Sequence, residues 1–175
     1  MRIVLIAAQS LDGFIAQPAQ PGTAFTSPED KAHFRTAVAD FDVGVFGAAT
    51  YRVSHEAIRA QVAGRHLRVV LTRSPERYAA EAHPGMLEFT SAAPAALAHE
   101  LRTRGFRRCA LLGGSQIHSL FLAAGLVDEI WLTIEPLLFG GGTPLLAHPA
   151  EVRLELHALE KLGTSTLLVK YQVVR

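Results

Sequence analysis

The sequence predicts an α/β fold in which a mostly parallel central sheet is flanked by helices and ends in antiparallel strands. Two observations carry this prediction. In the first two thirds of the chain, apolar runs with strand character alternate with segments of helical periodicity, which is typical of parallel β-α-β units. From Val127 onwards, strand-like segments follow one another directly, which indicates antiparallel pairing. We expect the 175 residues to form one stand-alone domain around a single core.

The predicted strands are apolar runs rich in branched side chains that polar residues or glycines close. They fall at residues 3–8, 42–47, 67–71, 87–89, 109–112, 130–135, 152–156 and 166–174. Helices are predicted from Pro28 and over residues 48–58, 92–104 and 115–124, and Gly105 and Gly125 end the last two. Residues 17–23, with two prolines and a glycine, are predicted to form a surface loop.

The helix that begins at Pro28 has the clearest local signal. Ser27 fits the N-cap, Pro28 fits the first helical position, and Asp30 brings a negative charge to the positive end of the helix. We expect His33, on the same helix, at the protein surface. The expected apolar residues of this segment are Ala32, Phe34, Ala37, Val38 and Phe41.

Composition and charge exclude several classes of function. Lys and Arg together number 17 against 16 for Asp and Glu, so the net charge of +1 gives no basic surface for nucleic acid or a membrane. No apolar run approaches the roughly 18 residues that a membrane-spanning helix requires. The one cysteine, Cys109, lies in a predicted buried strand and cannot form an intrachain disulfide. We therefore expect a cytoplasmic protein.

Polar or glycine-containing loops follow three of the predicted strands, and together they could bind one phosphate-bearing ligand. In an open α/β sheet, ligands bind at the carboxyl ends of the strands, where helix N-termini direct free N–H groups at anions. The loop after the third predicted strand has one cation, Arg73, and two hydroxyls, Thr72 and Ser74, which suit a phosphate monoester such as the 2′-phosphate of NADPH. Each loop alone also fits a plain turn or a solvated surface loop. The three loops comprise Gly47, Ala48, Ala49 and Thr50; Leu71, Thr72, Arg73 and Ser74; and Gly113, Gly114, Ser115, Gln116 and Ile117.

Several common site motifs are missing from the sequence. The first strand is followed by QSLDG rather than GxGxxG, which disfavours an ordinary doubly wound nicotinamide dehydrogenase. The eight histidines show no metal-site spacing, and no GxSxG motif indicates a hydrolase. Asp30 is the carboxylate that stands out. It is either a charge in a first helical turn or an acceptor for two N–H donors of an aminopyrimidine or pterin ring.

Four segments carry a resemblance to a known family. They are residues 10–16 (SLDGFIA), 47–50 (GAAT), 111–129 (beginning LLGGS and ending LVDE) and 136–145 (PLLFGGGTPL), and in this order they span most of the chain. Together they resemble the superfamily of dihydrofolate reductase and the reductase domain of bacterial riboflavin biosynthesis. The resemblance implies a dihydrofolate reductase-like fold and an NADPH-dependent reductase of a pyrimidine or pterin-like substrate, most like 5-amino-6-(5-phosphoribosylamino)uracil reductase.

The resemblance also implies residue roles. The loops at residues 47–50 and 113–117 are similar to the turns that hold the NADPH pyrophosphate, and Ala8 is expected beside them. Residues 71–74 are similar to the loop that holds the 2′-phosphate. Asp30 matches the acid that binds the substrate ring, and Phe34 matches the aromatic residue that flanks this ring. Thr133 matches the threonine that supports the acid. Asp12 and Ile15 lie in or next to the loop expected to cover the nicotinamide and the substrate.

The sequence departs from the family pattern at three positions. Leu112 stands where riboflavin-type reductases usually have a glutamate, and Tyr51 begins a stretch that lacks their usual acidic, proline-containing segment. His118 replaces a tyrosine expected from dihydrofolate reductase. Three functions therefore stay open: the riboflavin-type reductase, a dihydrofolate reductase, and a protein that binds NADPH without catalysing a reduction.

The long apolar strands near the C-terminus predict a homodimer. They would otherwise leave an exposed sheet edge, which proteins usually cover or pair. The family resemblance implies the same assembly. Other than this second copy, we expect a small heterocyclic substrate as the partner, and neither nucleic acid nor a membrane.

Overall fold

The computed structural model describes residues 1–60 and 66–175, and it shows an α/β architecture with ten strands and four α-helices in these ranges. The helices are α1 (Pro28–Ala39), α2 (Ala48–Ala60), α3 (Pro94–Thr103) and α4 (Ser115–Ala123), and a 3₁₀ helix spans Pro75–Glu81. The strands are β1 (Arg2–Ser10), β2 (Phe14–Ala16), β3 (Val43–Gly47), β4 (Leu67–Leu71), β5 (Leu87–Thr90), β6 (Arg108–Gly113), β7 (Glu129–Glu135), β8 (Thr143–Pro144), β9 (Arg153–Lys161) and β10 (Leu167–Val174).

Eight of these strands form one sheet in the order β5-β4-β3-β6-β1-β7-β10-β9. The six strands from β5 to β7 are parallel, whereas β10 is antiparallel to both β7 and β9. The predicted fold class, a mostly parallel sheet with antiparallel C-terminal strands, is therefore confirmed. Because β1, β3, β4, β6 and β7 run in the same direction, their carboxyl ends and the loops after them meet at one edge of the sheet.

The structure contains three short elements that the sequence did not predict. Strands β2 and β8 pair only with each other, through Phe14 with Pro144 and Ala16 with Thr143. The third is the 3₁₀ helix after β4. Neither strand is long enough to show a hydrophobic period, so their pairing depends on the tertiary fold rather than on local sequence.

The main core lies between the sheet and the pair α3 and α4. Ile3, Leu5, Val45 and Leu111 are fully buried there, and Leu101 and Phe121 of the helices pack against them. Cys109 is also fully buried, as predicted, and burial raises the pKa of its thiol to about 12. An apolar site that keeps a thiol protonated makes it a poor nucleophile, so Cys109 serves packing.

Helix α1 begins as predicted but packs differently. The Oγ of Ser27 accepts a hydrogen bond from the backbone N–H of Asp30 at 3.1 Å, which is the expected N-cap. Within the helix only Asp30 and Ala37 are buried, and Phe34 is 38% exposed. Of the apolar residues expected in this segment, Ala32 is exposed, and Phe34 borders a cleft.

Within the described residues, no helix is both long and apolar enough to cross a membrane.

Candidate functional site

A cleft of about 1610 Å³ lies along the carboxyl ends of the parallel strands. It extends from α1 and β7 at one end to the loop after β4 and the 3₁₀ helix at the other. Single-ligand pockets usually have volumes of about 300–1,000 Å³. The cleft is larger than this range, and it also reaches Gly44 and Arg68 near the starts of β3 and β4.

Most of the site residues predicted from the sequence line this one cleft; the exceptions are Asp12 and Gly113. The fold brings most of them together because they lie near the carboxyl ends of the parallel strands, and α1 adds Asp30 and Phe34. They are Ala8, Ile15, Asp30, Phe34, Gly47, Ala49, Thr50, Leu71, Thr72, Arg73, Ser74, Gly114, Ser115, Gln116, Ile117 and Thr133.

The two glycine-containing turns lie against each other at the middle of the cleft. A Cβ atom on Gly47 would come within 2.9 Å of the Ile117 side chain, so the turn after β3 packs closely on α4. A Cβ atom on Gly114 would lie 3.5 Å from the Oγ1 of Thr50. Helices α2 and α4 both begin at these turns. Their N-termini therefore present free backbone N–H groups and hydroxyls to a common region.

The cleft is strongly cationic. Among the described residues that line it, Asp30 is the only carboxylate. Arg73 and Arg77, beside the loop after β4, have no acidic ion-pair partner in the described part of the chain. Such a charge distribution favours ligands that carry several negative charges. The basic lining residues are Lys31, Arg35, Arg52, Arg68, Arg73 and Arg77.

Asp30 and Thr133 form the polar part of the other end of the cleft. Asp30 is 7% exposed and Thr133 is 3% exposed, so both are buried polar groups that face the same space. Phe34 lies one helical turn after Asp30 and borders the same space. A buried carboxylate with an adjacent aromatic ring can bind and orient a flat heterocycle that carries N–H donors.

Asp12 lies outside the cleft lining and has a defined structural contact. Its carboxylate accepts hydrogen bonds from the Oγ of Ser10 and from the backbone N–H groups of Phe139 and Gly140, at 3.1 and 2.7 Å. These bonds, with the Ser10 contact foremost, lower its pKa. Asp12 therefore ties the loop after β1 to the segment after β7.

Two histidines belong to the cleft although the sequence did not single them out as site residues. His33 was expected at the surface, but it is half-buried and lines the cleft, and its Nε2 has no hydrogen-bond partner. Burial, with Lys170 nearby, lowers its pKa, while Asp30 and Glu160 oppose this. The spacing of three residues from Asp30 was the available signal, because it places both on one helix face. His118 is buried beneath the Gly113–Gly114 turn.

Among the described residues, no three His, Cys, Asp or Glu side chains are placed to hold a metal ion. The donors at the cleft are instead hydroxyls, backbone N–H groups and guanidinium groups, which suit phosphate and heterocyclic ligands.

Solved structures of three proteins share this architecture. A pyrimidine reductase-like protein from Corynebacterium diphtheriae aligns with a TM-score of 0.79 and 18% identity, over 99% of this chain and 92% of the other. The second is a diaminohydroxyphosphoribosylaminopyrimidine deaminase/5-amino-6-(5-phosphoribosylamino)uracil reductase from Thermotoga maritima. It aligns with a TM-score of 0.81 and 17% identity, over 99% of this chain and 56% of the other. Dihydrofolate reductase from Enterococcus faecalis, complexed with NADP(H), aligns with a TM-score of 0.64 and 16% identity, over 98% of this chain and 96% of the other. At these identities the likeness establishes the dihydrofolate reductase-like fold.

No curated protein sequence matches the chain. The model of the RibD C-terminal domain family matches residues 2–168, which includes every strand of the cleft and both glycine-containing turns. The protein is therefore a member of the RibD C-terminal domain family.

Proposed function

We propose that this protein is an NADPH-dependent reductase of a pyrimidine or pterin-like substrate, most similar to 5-amino-6-(5-phosphoribosylamino)uracil reductase. The observation that carries the proposal is the composition of the cleft. The end at the loop after β4 and the middle of the cleft offer cations, hydroxyls and helix N-termini. The end at α1 offers the buried carboxylate of Asp30 and the aromatic ring of Phe34. Membership of the RibD C-terminal domain family supports the same reaction class.

The residues present fit NADPH as the cofactor. The turns at Gly47 and Gly114 are close enough to contact one pyrophosphate together, because Gly47 packs on Ile117 of α4 and Gly114 lies beside Thr50 of α2. The Oγ1 of Thr72 accepts a hydrogen bond from the backbone N–H of Ser74 at 3.3 Å, which folds the loop around Arg73. Thr72, Arg73 and Ser74 would hold the 2′-phosphate through charge-assisted hydrogen bonds.

The substrate would lie between the cofactor and α1. Asp30 would accept hydrogen bonds from the N–H groups of the heterocycle, and Phe34 would pack against the face of the ring. Thr133 lines the same cleft and would fix the position of the same ring. NADPH, when bound, supplies the hydride for the reduction. The chain itself positions the acceptor carbon of the substrate, excludes water with Ile15 and Ala16, and stabilises the heterocycle through Asp30.

A second candidate is a protein that binds NADPH without reducing a substrate. It is favoured by Leu112, which borders the cleft with an apolar side chain where riboflavin-type reductases usually have a glutamate. Dihydrofolate reductase activity is the third, and the shared fold and the Asp30–Phe34 pair support it.

The proposal includes a homodimer that forms through the antiparallel end of the sheet. Leu154, Leu156 and Leu159 of β9 stand opposite Val173, Tyr171 and Val169 of β10, so all share one face. Leu156 and Leu159 are 54% and 60% exposed. A second subunit would cover this apolar face and the unpaired edge of β9. We place the enzyme in the cytoplasm, which agrees with its single, buried cysteine.

The test is an assay of the purified protein with NADPH and either 5-amino-6-(5-phosphoribosylamino)uracil or dihydrofolate, following the nicotinamide absorbance. We expect oxidation with the pyrimidine at a higher kcat/KM than with dihydrofolate. The reverse order would favour the dihydrofolate reductase function. Saturable NADPH binding without oxidation by either compound would favour the binding protein. The absence of saturable NADPH binding would refute the proposal as a whole.

A further inference from the structure

Tyr51, which directly follows the turn at residues 47–50, is anchored in a cluster of aromatic rings. Its side chain is buried, with 2% of the residue exposed. The ring packs edge-on against the rings of Tyr78 and Phe89, with centroid distances of 5.8 and 5.1 Å. Tyr78 and Phe89 in turn stack on each other at 4.8 Å. These contacts pack the start of α2 against the 3₁₀ helix after β4 and against β5.

A hydrogen bond from the same tyrosine holds the far end of the 3₁₀ helix. The hydroxyl of Tyr51 donates to Oε2 of Glu81, the last residue of that helix, at 2.5 Å. Hydrogen bonds to a carboxylate are among the stronger ones in proteins. Burial and the bond to Glu81 raise the pKa of Tyr51 to about 12, so the phenol stays a donor at physiological pH. Tyr51 therefore holds the 3₁₀ helix at two points, Tyr78 and Glu81.

The geometry of the 3₁₀ helix places a cation beside the loop that precedes it. Such a helix has three residues per turn, so side chains three positions apart lie above one another. Tyr78 and Glu81 thus share the face that Tyr51 holds, and Arg77 stands on another face, one turn after Ser74. The backbone N–H of Arg77 donates to the carbonyl of Ser74 at 3.2 Å and closes this turn. Arg77 therefore lies next to the loop after β4.

The guanidinium group of Arg77 is available to a ligand. Arg77 is exposed and lines the cleft, as Arg73 does. In the part of the chain that the structure describes, neither arginine forms an ion pair with a carboxylate. A phosphate monoester carries close to two negative charges near neutral pH and offers three acceptor oxygens, so it can bind two guanidinium groups at once.

We propose that Arg77 is a specificity-determining residue that binds the 2′-phosphate of the cofactor together with Arg73, and that Tyr51 and Glu81 position it. This inference rests on the proposed function, which supplies NADPH as the ligand. Because Tyr51 adjoins the turn proposed to contact the pyrophosphate, its bond to Glu81 sets the position of Arg77 relative to that turn. A cation that is already held in place loses less conformational freedom when the phosphate binds.

The test measures dissociation constants for two pairs of probes, NADPH with NADH and 2′,5′-ADP with 5′-AMP. The members of each pair differ only in the 2′-phosphate. Arg77→Ala should reduce the preference for the phosphorylated member roughly tenfold in both pairs, as the loss of one charge-assisted contact predicts. Arg102→Ala is the matched control, because Arg102 is exposed on α3 and is not among the described residues that line the cleft. An unchanged preference in Arg77→Ala, or an equal loss in Arg102→Ala, would overturn the inference.

Tyr51→Phe tests the positioning role, because it keeps the aromatic ring and removes only the hydroxyl. It should lower the same preference roughly three- to tenfold. In the Arg77→Ala background it should have no further effect on the preference, since Tyr51 acts through Arg77. Additive effects of the two substitutions would overturn the positioning role.

Substitutions of Glu81 provide a rescue by a conservative variant. Glu81→Ala should match Tyr51→Phe, whereas Glu81→Gln keeps an acceptor for the hydroxyl and should retain most of the preference. Glu76→Ala is the control for the lost charge, because Glu76 is an exposed carboxylate on the same 3₁₀ helix. It should not lower the preference. Equal losses in Glu81→Gln and Glu81→Ala would contradict the role of this hydrogen bond.

The results separate this inference from the proposed function. If the wild-type protein binds neither NADPH nor 2′,5′-ADP, the proposed function fails, and the inference fails with it. If the wild type prefers NADPH and Arg77→Ala keeps that preference, only the inference is overturned. Because Arg77 is exposed, its replacement should leave the fold intact, and this variant decides the outcome even if Tyr51→Phe does not fold.

Discussion

The buried carboxylate of Glu135 accepts a hydrogen bond from the backbone N–H of Ser27, with 2.8 Å between Oε1 and the nitrogen. Its other oxygen accepts from the Oγ1 of Thr166 at 3.0 Å. Ser27 is the N-cap of α1 and in turn binds the N–H of Asp30. Glu135 therefore joins the end of β7, two residues after Thr133, to the helix that carries Asp30. This connection joins the elements that carry both polar residues of the cleft.

Glu135→Ala should lower the free energy of unfolding by about 2 kcal/mol, because it removes the acceptor of the Ser27 N–H and the nearer acceptor of the buried Thr166 hydroxyl. Glu135→Gln should lose less than about 1 kcal/mol, since its amide oxygen still accepts from Ser27 and its amide N–H₂ donates to Thr166 once that hydroxyl turns. Urea unfolding measures both values. In the reductase assay, Glu135→Ala should raise KM for the pyrimidine more than KM for NADPH.

Glu155→Ala serves as the control for this comparison, because Glu155 is an exposed carboxylate on β9. Its unfolding free energy should stay within about 0.5 kcal/mol of the wild type. If Glu135→Gln were as damaging as Glu135→Ala, the geometric role assigned to the hydrogen bonds would be wrong.

The parts of the site that the sequence predicts are those that depend on local signals and strand order. Gly47, Thr72 and Ser115 each follow a recognisable strand, and the parallel sheet brings such strand ends to one edge. The N-cap at Ser27 is equally local. The contacts of His118 with Leu145 and of Glu135 with Ser27 could not be predicted, because the partners are distant in the chain.

The contacts of Asp12 could not be predicted for the same reason, because its partners are distant in the chain. The sequence puts it in the loop after the first strand, but only the tertiary structure shows that its carboxylate binds the backbone of Phe139 and Gly140. For α1, the sequence marks Phe34 only as an apolar residue, and the family resemblance implies its place beside a substrate ring. The structure turns this side chain towards the cleft, where a ligand and not the core would cover it.

Asp12→Ala should lower the melting temperature at neutral pH, because two backbone N–H groups lose their acceptor. Hydrogen bonds lower the pKa of Asp12 in the folded protein, so its carboxylate stabilises the fold above about pH 4. This contribution is lost as the pH falls through the folded-state pKa. Melting curves from pH 7 to pH 3 should show the difference between wild type and variant shrinking with acidity. A difference that stays constant with pH would contradict the role of the charge.

Gly142→Ala should be among the most damaging substitutions in this segment. Gly142 has a φ of +132°, and an added Cβ would lie 2.2 Å from the backbone oxygen of Ala16. We expect a loss of about 3 kcal/mol or more, because β8 must separate from β2. Gly140→Ala is the matched control: its φ is +67°, but a Cβ there meets no atom within 4 Å. It should cost only about 1 kcal/mol in urea unfolding. Similar losses at both positions would show that backbone conformation, not the contact with Ala16, dominates.

Arg73→Ala should reduce the preference for NADPH over NADH by roughly 10- to 100-fold, because it removes the charge-assisted contact that we propose to the 2′-phosphate. Dissociation constants from nicotinamide fluorescence measure this preference. Arg35→Ala is the control, since Arg35 lines the same cleft from α1. It should leave the ratio of the two constants unchanged. If Arg35→Ala changed the ratio as much as Arg73→Ala, the overall charge of the cleft would account for the preference.

Leu156→Asp and Leu159→Asp should convert the proposed dimer into a monomer, because each places a charge at the centre of the apolar face of β9 and β10. Size-exclusion chromatography with light scattering at micromolar concentration measures the mass, which should fall from twice 18.9 kDa to the value of one chain. Met86→Asp is the control, because Met86 is 41% exposed and immediately precedes β5, at the opposite edge of the sheet. It should remain dimeric. A wild-type protein that elutes as a monomer under these conditions would rule out the dimer, and a Met86→Asp monomer would show that the interface lies elsewhere.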